Sequence, residues 1–225
     1  MRRRSLVSLA PLLACIVVAS AYGDLENQVF TSKPDELRMV VPRGWRATDQ
    51  PSYPDQLLWM MHGQPDAHIV LTAEPFTRKL YCSWPIQCRT SHDALPSKLA
   101  CALRARLEAH KLRVGPIQAG PRENEDAGMP TVWFEYDDGK HYFRQAVALT
   151  SDRAVSLLLS TQSLDARTGY VRAFEAALRT LRPLTAEEES AAAAAAPAAP
   201  SDAGVPDAPP SAPGPEINPV GSCAQ

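Results

Sequence analysis

ELRMVVPRGWRATD, residues 36–49, is the stretch on which the reading of this chain turns. Leu37, Met39 and Val41 alternate with Glu36, Arg38 and Val40, the period of two that marks a strand with one buried face. Pro42 has no N–H to give to a neighbouring strand, so ladder pairing is expected to stop there. Gly44 permits a tight turn. Trp45 follows at once, a large apolar side chain placed to fold back over the edge of a core. A strand that ends this way implies more sheet around it, and the flanking sequence supplies it.

QLLWMMH (56–62) and HIVLTAEPF (68–76) flank GQPDA, whose Gly63, Pro65 and Asp66 are turn formers, so the two runs predict a hairpin. PTVWFEYDD (130–138), KHYFRQAVALT (140–150) and RAVSLLLSTQ (153–162) are rich in β-branched and aromatic residues. Turn signals at Asp138-Gly139 and Ser151-Asp152 join them into a predicted antiparallel meander. Leu95, Leu99, Leu103 and Leu107, with Ala102, form an apolar stripe that predicts a helix over 93–112. Ser91 or Asp93 is its expected cap, Pro96 falls in its first turn, and Gly115 and Pro116 lie beyond its end. Val171, Phe174, Leu178 and Leu181 predict a second helix over 165–181, closed by Pro183. Strands, helix, strands, helix give an α+β class: helices packed on an antiparallel sheet.

The run VFTSKPDELRMVVPRGWRATD, residues 29–49, resembles the first hairpin of the PsbP-like family. That family includes the extrinsic PsbP subunit of the photosystem, the nuclear-transport Mog-type proteins and bacterial envelope proteins such as DcrB. In them a strand ends in a "vP.gW" turn, matched here by Val41, Pro42, Gly44 and Trp45. A closing amphipathic helix of the "f...l.slr" kind resembles Phe174 to Arg182. The resemblance implies an α/β/α sandwich around an antiparallel sheet. It brings no shared catalytic residues, so none is carried over.

The ends of the chain differ from its middle. MRRRSLVSLAPLLACIVVASA, residues 1–21, has a basic start at Arg2, Arg3 and Arg4, an apolar run too short to span a bilayer comfortably, and the small-x-small site Ala19-Ser20-Ala21. These are the parts of a secretory signal peptide. Cleavage after Ala21 is the favoured reading. The alternative takes LLAC, ending at Cys15, as a lipobox and places a lipid on that cysteine. Residues 22–28 are a short linker, and 29–183 are long enough for one core. Residues 184–225 are Ala, Pro, Ser, Asp and Gly with almost no large apolar side chain. Such a tail buries too little surface to offset its ordering entropy and is expected to be disordered. The acids at its start and the alanines over 191–196 suggest a transient helix, stopped by Pro197. Deleting 191–225 is then expected to leave stability nearly unchanged, unless a disulfide from Cys223 ties the tail to the domain.

Export makes the cysteines informative. Cys82, Cys88, Cys101 and Cys223 remain in the mature chain, an even number in an oxidising compartment, and disulfides are expected. At least one bond is expected among Cys82, Cys88 and Cys101, anchoring the YCSWPIQCRTSH loop, which has no strand or helix pattern of its own. Cys101 lies about 200° around the helix from Leu99, off the leucine stripe, where a covering loop can reach it. Three partners remain open: Cys101 with either loop cysteine, or Cys82 with Cys88.

With 225 residues and a net charge of −2, nothing in the composition points to nucleic acid, and a membrane contact is expected only if Cys15 is lipidated. There is no G-x-S-x-G and no H-E-x-x-H. His62 and His68 flank the predicted hairpin turn and can lie across from each other, with Met60, Met61 and Asp66 nearby. Two histidines fall short of the three or four ligands that a useful site needs, so no metal and no cofactor is assigned. His110 reads as a histidine packed on the leucine face. ENEDAG (123–128) lacks the alternation of a calcium loop and reads as a solvated loop. Trp59, Trp84 and Trp133 read as core or loop anchors, with an aromatic ligand patch as the sharper alternative. The class this supports is an exported, periplasmic or extracellular, non-catalytic binding or assembly protein of the envelope. Its partner would be another envelope protein or a small apolar ligand. The alternative class is an envelope hydrolase or metal-dependent enzyme.

Overall fold

The computed structural model describes residues 24–26, 28–47, 55–63, 67–120, 129–188 and 223. The signal segment with Cys15, the acidic run 123–128, Asp66 and most of the C-terminal tail lie outside the described residues.

In chain order the elements are β1 (Asp24–Glu26), β2 (Val29–Ser32), β3 (Leu37–Val40), β4 (Arg46–Ala47), β5 (Gln56–His62), β6 (Ala67–Pro75), α1 (Arg78–Ser83), α2 (Ile86–Arg89) and α3 (Leu95–Ala109). They continue with β7 (Arg113–Val114), β8 (Gln118–Ala119), β9 (Val132–Asp137), β10 (Tyr142–Leu149), β11 (Arg153–Thr161), α4 (Arg167–Thr180) and β12 (Arg182–Pro183). A large antiparallel sheet runs β4-β5-β6-β11-β10-β9-β7, with β8 also paired to β9. A small sheet runs β1-β2-β3-β12. The expected α+β architecture is therefore present, with the expected meander at β9–β10–β11. Its outer strand β11 then pairs along its whole length with β6.

The period of two sends alternate side chains to two separate cores. Ala146 and Ala148 of β10 and Val155, Leu157 and Leu159 of β11 join Phe30, Leu37 and Met39 of the small sheet and Phe174, Ala177 and Leu178 of α4. Val147 and Ala154 point the other way, toward Phe76, Tyr81, Trp84, Leu99 and Ala100. The large sheet is thus the middle layer, with α1 and α3 on one face and the small sheet and α4 on the other. At roughly 1.5–3 kcal/mol for each large apolar side chain fully buried, these two cores supply the main drive to fold.

The turn after β3 is built as its residues require. Trp45 N–H donates to the Pro42 carbonyl at 3.0 Å, and Gly44 holds φ at +84°, in the region that glycine enters without strain. Trp45 is buried against α4, its ring 5.8 Å from that of Tyr170 in an edge-on contact, with His62 of β5 5.5 Å away. The tryptophan fastens the β3–β4 connection to α4.

Several details differ from expectation. The YCSWPIQCRTSH loop contains α1 and α2, of six and four residues, too short to show a helical period. Thr77 caps α1, its side chain accepting from Leu80 N–H at 3.2 Å. Helix α3 starts after Ala94 with no side-chain cap, so neither Ser91 nor Asp93 serves there. The folded body also runs past residue 183. Leu184 is buried and its N–H donates to Glu36 O at 2.8 Å. Thr185 and Glu188 then form a capping box, in which Glu188 accepts from Thr185 N–H while Thr185 Oγ1 accepts from Glu188 N–H. Glu188 also accepts from Arg38 and from both terminal nitrogens of Arg182.

Of the pairings left open for the loop, Cys101 with a loop cysteine is the one present, and Cys82 takes Cys223 instead. Cys88 of α2 is bonded to Cys101 of α3, 13 positions on, which clamps the loop to the helix. Cys82 of α1 is bonded to Cys223, 141 positions on. The bond of Cys223 contradicts the expectation of a freely separable tail: Cys223 lies at the α1 face, half-buried against the second core.

Candidate functional site

The histidine pair does not converge. Met61 is registered with His68 and His62 with Ala67, so His62 and His68 project from opposite faces of the sheet. His62 joins Trp45 and Tyr170; His68 lies against Trp59, its ring centre 5.1 Å away, and burial lowers its pKa. Met60 is in the first core. His110 is exposed at the C-cap of α3 instead of packed on its leucine face. His92 is exposed, and His141 bonds Asp138 in the β9–β10 turn. Among the described residues no group of three His, Cys, Asp or Glu is placed to hold a metal. Trp84 is in the second core, and Trp133 is half-buried with its Nε1–H donating to Ala119 O at 3.0 Å.

The groups that do converge are on β7, β9, β10 and α4. Alternation on β9 sends Phe134 and Tyr136 to the second core. Register pairs Glu135 with Arg144, Asp137 with Tyr142 and Trp133 with Ala146, so these side chains share the opposite face. Arg113 of β7 is registered with Asp137 and bonds it. Among the described residues α4 borders this part of the face, with an open groove between helix and strands. Three adjoining cavities of about 540, 310 and 400 Å³ run along it.

Arg144 is the centre of the groove floor, 8 % exposed. Its Nε donates to Glu135 at 3.0 Å and its NH1 to Glu175 of α4 at 2.8 Å. Its guanidinium lies 4.2 Å over the Trp133 ring. Tyr142 donates its hydroxyl to Glu135 at 2.6 Å. The arginine therefore has a carboxylate on each side and an aromatic face beneath, the arrangement a buried guanidinium needs.

The protonation states follow from these contacts. Burial works against the charged form of Glu135, yet the hydrogen bonds from Tyr142 and Arg144 hold its pKa below the ordinary value. Burial and the bond to Glu135 push Tyr142 far up. Burial opposes the charge on Arg144, but its bond to Glu135 keeps the cation more firmly than usual. All three groups are driven away from neutral pH.

Sequence reasoning missed Glu135, Tyr142, Arg144, Arg167 and Glu175. The signal was there in part: Trp133, Glu135 and Asp137, and Tyr142 and Arg144, are polar or amphipathic residues at period two in otherwise strongly apolar strands.

Neither a protein-family model nor a curated protein matches the chain. Solved structures that resemble it include cyanobacterial PsbP (CyanoP) from Synechocystis sp. PCC 6803, at 15% identity and a TM-score of 0.48, over 77% of this chain and 99% of that one. LpqN, involved in cell envelope biogenesis of Mycobacterium tuberculosis, matches at 15% identity and a TM-score of 0.41, over 65% and 83%. The Ran-binding protein Mog1p of Saccharomyces cerevisiae matches at 9% identity and a TM-score of 0.44, over 73% and 98%. A PsbP and a Mog1 protein are thus among the structures it resembles. The likeness is one of architecture, and no residue role is carried over from them.

Proposed function

We propose that the chain is an exported, non-catalytic binding protein of the cell envelope, and that it engages a protein partner through the groove between α4 and strands β7, β9 and β10. The observation that carries this reading is the mutual hydrogen bonding of Glu135, Tyr142, Arg144 and Glu175 on the groove floor. General acid–base work needs a group whose pKa lies near the working pH. Glu135 is held down and Arg144 held up by their mutual bonds against the effect of burial, and Tyr142 is pushed up first by burial and then by its bond to Glu135. Such a floor is a fixed charged surface, and fixed charge sets register and partner choice at interfaces. The shallow, polar lining also favours a protein surface over a small apolar ligand, which would want an enclosed apolar pocket. Two disulfides suit the oxidising compartment that the N-terminal segment implies.

The test is site-specific photo-crosslinking in the native envelope. A crosslinking side chain at Thr168, which lines the groove, should capture one discrete partner; the same side chain at Glu108, on the exposed side of α3, should not. Equal capture at both positions, or none at Thr168, would refute the groove as the contact surface.

A further inference from the structure

We infer that the 400 Å³ cavity of this groove receives a carboxylate side chain from an acidic segment of the partner polypeptide, with Arg167 and Arg172 as the receiving groups. The inference rests on the reading of the groove as a partner surface and adds the partner's chemistry.

The charges of the cavity do not cancel internally. Its two acids, Glu135 and Glu175, are both bonded to Arg144. Its remaining cations are Arg167 and Arg172, both exposed; neither guanidinium makes a direct hydrogen bond or ion pair among the described residues, and Arg167 acts on Glu135 only through its charge at longer range. The cavity therefore holds three guanidiniums against two carboxylates, and both carboxylates are directly bonded to Arg144, which leaves an excess of one positive charge at Arg167 and Arg172. Arg167 lines all three cavities along the groove, so it stands where they meet. Its guanidinium carbon is 5.7 Å from the centre of the Tyr142 ring. That ring is fixed by the hydroxyl bond to Glu135, so it gives Arg167 a preset platform.

A guanidinium resting on an aromatic face keeps its planar fork of N–H donors for an oxyanion, and a carboxylate takes two of them at once. Val171 lies between the two arginines in sequence and lines the same cavity, offering an apolar contact for the methylenes of a glutamate. The apolar patch and paired cations together suit an acidic peptide better than a bare inorganic anion. The other end of the groove differs: the 540 Å³ cavity also contains Asp165 and Asp137, and an acidic ligand has no reason to extend there.

The probe is a fluorescein-labelled decapeptide carrying two adjacent glutamates, titrated by fluorescence anisotropy into the mature protein. A matching peptide with lysines and inorganic phosphate are the comparison arms. The inference expects saturable binding of the glutamate peptide, weakened by 0.5 M salt through screening, and no binding of the lysine peptide. Arg167→Ala and Arg172→Ala should each weaken it about tenfold or more. Arg167→Lys, which keeps the charge and loses the fork, should fall between. Absence of saturable binding would overturn the inference, as would unchanged affinity in both alanine variants. Phosphate displacing the peptide at equal concentration would also overturn it, because the site would then be one for a free anion. Far-ultraviolet circular dichroism and the thermal midpoint confirm that the variants fold. If Thr168 captures a partner that Arg167→Ala holds equally well, the acidic-segment inference falls and the groove reading stands. If Thr168 captures none, the groove reading falls by itself.

Discussion

Cys223 is bonded to Cys82, so the far end of the chain is fastened to helix α1 across 141 positions of sequence. The bond sits at the margin of the second core, where Cys82 and Cys223 are both half-buried against it. Cross-linking a loop of this length restricts the unfolded chain strongly, and such bonds stabilise by about 2–4 kcal/mol in practice. Replacing both residues with serine should lower the free energy of unfolding by that amount, read from urea denaturation. With dithiothreitol, which also opens Cys88–Cys101, parent and variant should converge on one lower midpoint. Deletion of 191–225 should cost a similar amount; equal urea midpoints for the deleted and full chains would show that the bond does not form in solution.

Arg144 is the buried cation that both Glu135 and Glu175 face. Arg144→Met fills similar space but removes the charge, leaving two carboxylates and the Tyr142 hydroxyl to rearrange. Breaking a fully buried pair costs about 3–5 kcal/mol, and the carboxylates here are about a third exposed, which lowers the expected loss to about 2 kcal/mol. The double variant Arg144→Met with Glu135→Gln should recover part of it. A thermal midpoint unchanged in the single variant would show that water replaces the arginine without cost.

Gly44→Ala places a Cβ on a residue at φ +84°, where an L side chain is strained whatever the space around it. A loss of about 1–2 kcal/mol is expected. Because the same turn seats Trp45 against Tyr170, near-ultraviolet circular dichroism should change with it. A fully stable variant with an unaltered aromatic spectrum would show that the turn adopts another geometry without loss.

Glu188 has its pKa drawn down from 4.5 to about 2, first by the hydrogen bond from Arg182 and then by Thr185. The folded pKa is below the unfolded one, so its contribution is complete above about pH 4.5 and is lost as pH falls toward 2. The group is about a third exposed, so solvent screening keeps the effect small. Urea midpoints of the parent and of Glu188→Gln should differ most above pH 5 and converge as pH drops through that window. A constant difference from pH 6 to pH 2 would mean that the ion pair contributes nothing.

What the sequence by itself determined is the set of local elements. The alternation at Leu37, Met39 and Val41, the leucine spacing of α3 and the Phe174–Leu178–Leu181 spacing of α4 are each read within a dozen residues. Each period has one physical solution: one buried face. The Pro42–Trp45 turn was legible for the same reason, since proline and glycine restrict the backbone where they stand. The short α1 and α2 were not, because four to six residues cannot display a helical period.

Tertiary structure alone decided what each buried face meets. The pairing of β6 with β11 and of β3 with β12, and the return of Cys223 to Cys82, join residues from about 80 to over 140 positions apart. The groove is the same kind of object: Arg113, Glu135, Tyr142, Arg144, Arg167 and Glu175 come from four separate elements. Chain order gives no distance between them. Their meeting is set by sheet register and by how far α4 extends over the large sheet, and both are fixed only when the layers pack.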